Sequence, residues 1–416
     1  MRVLVISNLY PPHNVGGYEV RCMQVVDQLR AFGHEVRVLT SDHVVPEADS
    51  AGEKDISRRL RIHGYFGHPW LPMHRLYAQE KHNHAVLQEE LEAYRPDVVH
   101  VWNMGGLSKS LLHRLEAGDV PVQYDVSDHW IARSLRGDVW LAWWNRTQSP
   151  LKSLPRAALK LLGFRRRFDK TVPTASWDAL RWERIYFCSR FLRELTKKAG
   201  FAVDHGEVVY CGIQTKVFEK KQSWEGFSRL LFVGRLSEDK DPLTAIRALA
   251  LARQGGASNL TLDLYGKGDE TYVNSLIREI AHLGLSDAVR FCAVPAARMR
   301  EVYAEYDALL FTSNWGEPFA LTPLEAMAAG LPVIMCPDGG DAELARDGEN
   351  CLLARAADPE SYADAIERMR EDPALRERLA TAGLREVCEY DIETISRQIE
   401  AALQRTVQKE SAPAGS

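Results

Sequence analysis

The chain has 416 residues, 45% of them hydrophobic and 26% charged. At about 150 residues per domain that implies two or three domains, and the composition excludes a disordered or collagen-like chain. The formal charge of −5 is unevenly spread, with 29 basic and 23 acidic residues through Asp204 but 23 and 34 from His205 onward. So small a total argues against a general nucleic-acid binder, while the mildly basic front half favours an anionic partner or surface.

Residues 2–7 form a short apolar run suited to a buried first strand rather than a secretory leader. A Pro- and Gly-bearing loop over 11–17 follows, then helical spacing over 19–32, a stop at Gly33 and a second strand over 36–40. Strands are next expected over 97–101 and 120–126, with a helix over 108–117 between them. Residues 184–189 and 191–199 repeat the strand-then-helix order. The pattern restarts in the second half, with strands over 230–233, 260–265, 289–292, 308–311 and 332–335. Its helices are expected over 242–252, 272–283 and 323–329. The stretch 359–404 is helix-rich and charged, and the last dozen residues read as a frayed tail. Two successive α/β units each imply a parallel sheet covered by helices. No apolar run approaches about 18 residues, so no membrane span is expected. Seven scattered cysteines without a CxxC read as reduced thiols of a cytoplasmic protein, with no zinc site.

Residues 130–183 stand apart. They hold Trp130, Trp140, Trp143, Trp144, Trp177 and Trp182, six of the ten tryptophans. Within 146–170, Arg146, Lys152, Arg156, Lys160, Arg165, Arg166, Arg167 and Lys170 stand against only one acid, Asp169. Three readings fit this insertion: tryptophans in a core with arginines in solvent, a lid or acceptor site, or a peripheral contact with an anionic membrane.

Three motifs bear on chemistry. The first loop, Pro11 to Gly17, lacks GxGxxG, and the chain has no GxxxxGK[ST], which weakens a dehydrogenase or triphosphatase reading. Gly16 and Gly17 still permit close backbone approach at a helix start, where amides attract an anion; a plain tight turn is the alternative. Arg235 and Lys240 follow the strand over 230–233, and together they suit a diphosphate, unless they merely line a solvated surface. In the string from Trp315 to Pro332, Pro323 is expected at the first helical position. The amides of Phe319, Ala320, Leu321 and Thr322 then lie at a helix N-terminus. Glu325 would accept two hydroxyl hydrogen bonds, as a ribose offers, and Glu317 would meet a reacting sugar.

The chain resembles a retaining glycosyltransferase of family 4, with the GT-B architecture. The resemblance rests on SNLYPPHNVGGYE at 7–19, GHEVRVLT at 33–40, VGRLSEDKDP at 233–242 and GEPFALTPLEAMAAGLPVI at 316–334. The last contains an E-x7-E element as Glu317 and Glu325, and DGGDAELARDGEN follows at 338–350. It covers about residues 1–45, 95–130 and 185–400. The implied fold is α/β, two Rossmann-like parallel-sheet domains facing each other across a donor-binding cleft. Residues 1–205 would be the acceptor-side domain, with the insertion at about 130–183, and 206–385 the donor domain. Residues 386–416 would be a helix packing back toward the first domain, and a tail.

The implied reaction moves a sugar, with retention and without a metal or other cofactor, from a nucleotide-diphosphate sugar, UDP- or GDP-linked, to an acceptor hydroxyl. Gly16 and Gly17 would approach the diphosphate, Arg235 and Lys240 would neutralise it, and Glu325 would hold the ribose. Thr322 would touch a phosphate. Glu317 and the amides of Phe319, Ala320 and Leu321 would position the sugar. The acceptor would be a carbohydrate, a lipid-linked sugar or a small molecule, with no nucleic-acid partner. The enzyme would be cytoplasmic or peripheral at the inner membrane face. Where the family has a His-Asp pair this chain has Ser127 and Asp128, with His129 next; Ser127, Asp128 and His129 all stand as candidates for the sugar hydroxyl and proton. The family glycine is also absent at Cys351 and around 291–293. A same-fold epimerase or hydrolase, and a noncatalytic sugar-nucleotide-binding protein, are the rival functions.

Overall fold

Two parallel sheets organise the chain in a computed structural model that describes residues 1–14, 16–46, 54–146, 156–157, 159, 161–295 and 298–411. The first contains β1 (Arg2–Ile6), β2 (Glu35–Ser41), β3 (Ile56–Leu60), β4 (Val98–Val101), β5 (Val122–Val126), β6 (Ile185–Phe187) and β7 (Glu207–Val208). Their spatial order is β3-β2-β1-β4-β5-β6-β7, with Val3 opposite both Val36 and Val98. Every residue of β4 and β5 is buried, as strands of a parallel sheet covered on both faces must be. The second sheet contains β8 (Arg229–Val233), β9 (Thr261–Tyr265), β10 (Val289–Cys292), β11 (Ala308–Phe311), β12 (Val333–Met335) and β13 (Leu352–Leu353), in the order β10-β9-β8-β11-β12-β13. In each sheet the chain reverses direction across the sheet at one point, between β1 and β4 and between β8 and β11. Open α/β sheets bind ligands beyond the carboxyl ends of the strands flanking such a point.

The chain divides into two compact units, Met1–Val209 together with the chain from Ser396, and Tyr210–Ile395. The last helix, Ile392–Ser411, continues through most of the expected tail. It holds there because Ile399, Leu403 and Thr406 are buried. His34 Nε2 lies 2.7 Å from Glu400 Oε1, and Thr406 Oγ1 donates to Gln123 Oε1 at 2.8 Å.

Among the elements of the first unit that escape the sequence pattern are β3 and the 22-residue helix Met73–Tyr94. That helix buries Glu80, Asn83, His84 and Glu90 beside its apolar residues, which dilutes the helical period. Three of these four polar groups have local partners. Asn83 pairs with both backbone groups of Arg61, His84 Nε2 lies 2.9 Å from Ser110 Oγ, and Ser57 Oγ donates to Glu90 at 2.6 Å.

In the insertion, Trp130, Trp140, Trp144, Trp177 and Trp182 are buried. Trp140 stacks on Tyr77 at 5.6 Å and donates to Pro173 O at 2.8 Å. Five of the six indoles are therefore core, and among the described residues the large apolar side chains exposed here are Leu161, Leu162 and Phe164. Lys152 and Lys160 lie outside the described residues.

Candidate functional site

In the second unit, Arg235 and Lys240 follow β8, and Glu317 follows β11, so they come from the two strands flanking the point of reversal. Lys240 Nζ donates to Glu317 Oε1 and lies 5.4 Å from the Trp315 ring centroid. Ser313 Oγ also donates to Glu317 Oε1, at 2.6 Å, and Glu317 is buried. Arg235 is 63% exposed and pairs with Asp239 at 2.8 Å. Both cations thus rest on carboxylates, one sunk in the site and one at its mouth.

The helix after β11 begins at Leu321 and ends at Ala328, with Ala320 as its cap. Pro323 therefore occupies the third helical position, not the expected first. A proline fits anywhere in the first turn, because those N–H groups have no partner within the helix. The Ala320 amide donates to Asp341 Oδ1 at 2.6 Å, so one of the amides expected to face a sugar already has an acceptor. Asp341 is 2% exposed, and its Oδ2 has no hydrogen-bond partner among the described residues. Burial, with Glu317 nearby, pushes its carboxyl up to about 8, so it is mostly protonated at pH 7.

Phe319 is buried between the rings of Tyr210 and Tyr390, at 5.2 and 5.7 Å. Its side chain anchors the loop between these two rings. Gly339 closes the loop from below. Its φ of +151° and a bridge to Glu317 leave no room for a side chain, since a Cβ would stand 2.3 Å from Glu317 O. Thr322 lies in the first turn of the helix and Glu325 in the second. Tyr303 donates to Glu325 Oε2 at 2.5 Å, and burial raises the Glu325 carboxyl above its ordinary value. One Glu325 oxygen is thereby fixed, which orients the other.

In the first unit, Gly16 caps the helix that Gly17 begins, and the Gly16 amide donates to Glu19 Oε2 at 3.0 Å. Tyr18 reaches from that helix to Asp125, donating to its backbone O at 2.9 Å. Asp125 pairs with Arg21 at 3.0 Å, both side chains being almost fully buried. Ser127 Oγ belongs to this network, donating to Asp125 at 2.6 Å and accepting from Arg21 at 2.8 Å. Ser127 Oγ is thus held in a buried ionic network, with Asp128 and His129 next to it in the chain. Asp128 accepts from Asn103 Nδ2 at 2.9 Å and from the Trp130 amide at 2.7 Å. Burial pushes its carboxyl up to about 6, the Trp130 amide opposing the rise. His129 is buried at the start of the Trp130–Ser134 turn.

Asn103, Tyr303 and Asp341 are absent from the sequence reading. Each acts on a residue more than 20 positions away, across different strands, and no local pattern carries that information.

Two family models match the chain: Glycosyltransferase Family 4 over residues 15–217 and Glycosyl transferases group 1 over 214–386. An uncharacterised glycosyltransferase of Methanocaldococcus jannaschii is 25% identical over 416 residues, covering 96% of each chain. Among solved structures, sucrose-phosphate synthase from Thermosynechococcus elongatus superposes with a TM-score of 0.71 at 17% identity, covering 98% of this chain and 99% of its own. The Anabaena protein HepE in complex with UDP-glucose gives 0.66 at 20% identity, covering 97% and 100%.

Proposed function

Since the chain belongs to the family-4-like glycosyltransferases of GT-B fold, we propose that it transfers a sugar, with retention, from a nucleotide-diphosphate sugar to an acceptor hydroxyl. The observation that carries this reading is the Lys240–Glu317 contact, which joins the carboxyl ends of β8 and β11 at the chain reversal. HepE binds UDP-glucose on the same fold, which supports a UDP-linked donor.

In this reading the bond between the sugar and the diphosphate breaks with its electron pair leaving on the phosphate oxygen. Lys240 and Arg235 meet that growing charge, each moving from its carboxylate to the diphosphate, so the positive charge comes from side chains rather than a metal ion. Such charge matching acts more strongly on the transition state than on the ground state. Glu317, relieved of Lys240, and the Phe319 and Leu321 amides hold the sugar, the Ala320 amide being held by Asp341, while Thr322 touches a phosphate. Glu325, oriented by Tyr303, holds the ribose, and Gly16 and Gly17 face the diphosphate. The acceptor oxygen bonds to the sugar on the face the phosphate leaves, and its proton passes to that phosphate. Asp128 or His129 would orient the acceptor hydroxyl or the sugar.

The acceptor falls within the carbohydrate, lipid-linked or small-molecule classes. Peripheral membrane contact would fall to the exposed Leu161, Leu162 and Phe164, with Arg166 and Arg167 beside them, rather than to the buried tryptophans.

Substrate assays with UDP- and GDP-sugars test the donor. Lys240→Ala and Glu317→Ala should each lower kcat about a hundredfold or more. Unchanged turnover in both variants would refute the assignment.

A further inference from the structure

Beyond the carboxyl ends of β2 and β3, in the first unit, a cavity of ≈ 270 Å³ is lined by Asp42, Arg61, Ile62, His68, Pro69, Leu71 and Gln79. Trp70 stands in the chain between two of these wall residues and is 62% exposed, with Tyr65 beside it 43% exposed. Their ring centroids are 5.8 Å apart, and His63 meets the Trp70 indole edge-on at 5.8 Å.

So exposed an indole is held with unusual care. Gly64 has φ +68°, and a Cβ there would fall 2.4 Å from the Trp70 ring, so the ring lies directly on glycine backbone. The Gly64 amide donates to Pro69 O at 3.1 Å, and the His68 amide to Tyr65 O at 2.9 Å, closing the turn beneath it. His63 N in turn donates to Gly106 O at 3.2 Å, tying the turn to the segment after β4. A fixed aromatic ring in solvent loses no rotamer freedom when something covers it. The fold gives this tryptophan no core role that would account for its being fixed.

We propose that Trp70 and Tyr65 are the stacking platform of an acceptor subsite that takes a neutral pyranose ring. The proposal rests on the reading of this chain as a sugar-transferring enzyme. The C–H face of a pyranose matches the negative face of an indole, and its hydroxyls need both donors and acceptors at the rim. Asp42 supplies acceptors, Arg61 donors and Gln79 both. One carboxylate against one guanidinium leaves the lining near neutral, which fits a polyhydroxylated ligand better than a phosphate or an anionic lipid surface. His68 in the lining is held from behind by His43, whose Nδ1 lies 3.1 Å from His68 Nε2.

The test uses the full chain and three probes: the methyl pyranosides of glucose, mannose and galactose, followed by saturation-transfer NMR. At least one should receive saturation from the parent protein. Trp70→Ala should weaken that binding about tenfold, while Trp70→Phe, which keeps a ring, should restore most of it. Binding of UDP should be the same in all three proteins. No transfer to any of the glycosides, or equal transfer in Trp70→Ala, overturns the proposal. So does binding to vesicles of phosphatidylcholine and phosphatidylglycerol that is lost in Trp70→Ala without any glycoside binding. Failure of the parent protein to bind UDP would count against the donor reading instead, leaving the glycoside result to stand by itself.

Discussion

Asp341 keeps its proton at neutral pH because its surroundings repel a second buried anion while giving it one amide to accept from. Its value of about 8 in the fold lies above the ~3.9 of an unfolded aspartate. Protonation therefore favours the folded state. The stabilisation is complete below about pH 4 and is lost as the pH rises through 8. Asp341→Asn keeps the size and the acceptor for the Ala320 amide but cannot ionise. It should match the parent in urea unfolding near pH 4 and exceed it by several kcal/mol near pH 9. Parallel pH profiles for the two proteins would show that Asp341 does not carry this charge. The same residue marks how far the sequence could be read. Glu317, Glu325 and Lys240 sit in contiguous strings beside strand ends, so spacing alone finds them. Asp341, Asn103 and Tyr303 become site residues only when separate strands come side by side. Ser127 adds a bond that sequence does not display: its hydroxyl joins the buried Arg21–Asp125 pair.

At the scale of elements, the strand-loop-helix alternation was legible wherever helices were amphipathic and strands uniformly apolar. It failed at the Met73–Tyr94 helix, whose buried Glu80, Asn83, His84 and Glu90 break the period. In the insertion composition alone left core, lid and membrane readings open, and packing decides for a core at five of the six tryptophans. The short helix Phe164–Asp169 carries the remaining surface signal. Leu161 and Leu162, 90% and 69% exposed, precede it, and Arg166 and Arg167 lie within it. Leu161→Ser with Leu162→Ser should cut cosedimentation with anionic vesicles about tenfold or more, since each leucine buried in the interface contributes on the order of 1 kcal/mol or more. Turnover on a soluble acceptor should not change. Equal cosedimentation of the double variant and the parent would remove membrane contact from this element.

At the scale of the whole molecule, the chain leaves its first unit at Val209 and returns to it at Ser396. The returning helix is fastened by the buried Ile399 and Leu403, by Glu400 beside His34, and by Arg405, which pairs with Glu207 at 2.6 Å. A chain ending at Ile395 should therefore lose thermal stability in the first unit, by several degrees or more, while the second unit keeps its unfolding transition. Hydrogen exchange resolved by peptide would separate the two. Faster exchange in β8 to β13 than in β1 to β7 would contradict the expectation.

That return of the chain also orders events during synthesis. Domains generally fold as units while the chain emerges from the ribosome, N-terminal segments first. Here the N-terminal unit cannot close at its turn. Its sheet is made early, but the helix that covers Gln123 and His34 is translated only after the whole second unit. The second unit, wholly encoded between Tyr210 and Ile395, is complete before then. The unit begun first is completed after the second, and until its returning helix emerges its uncovered flank is open to a chaperone.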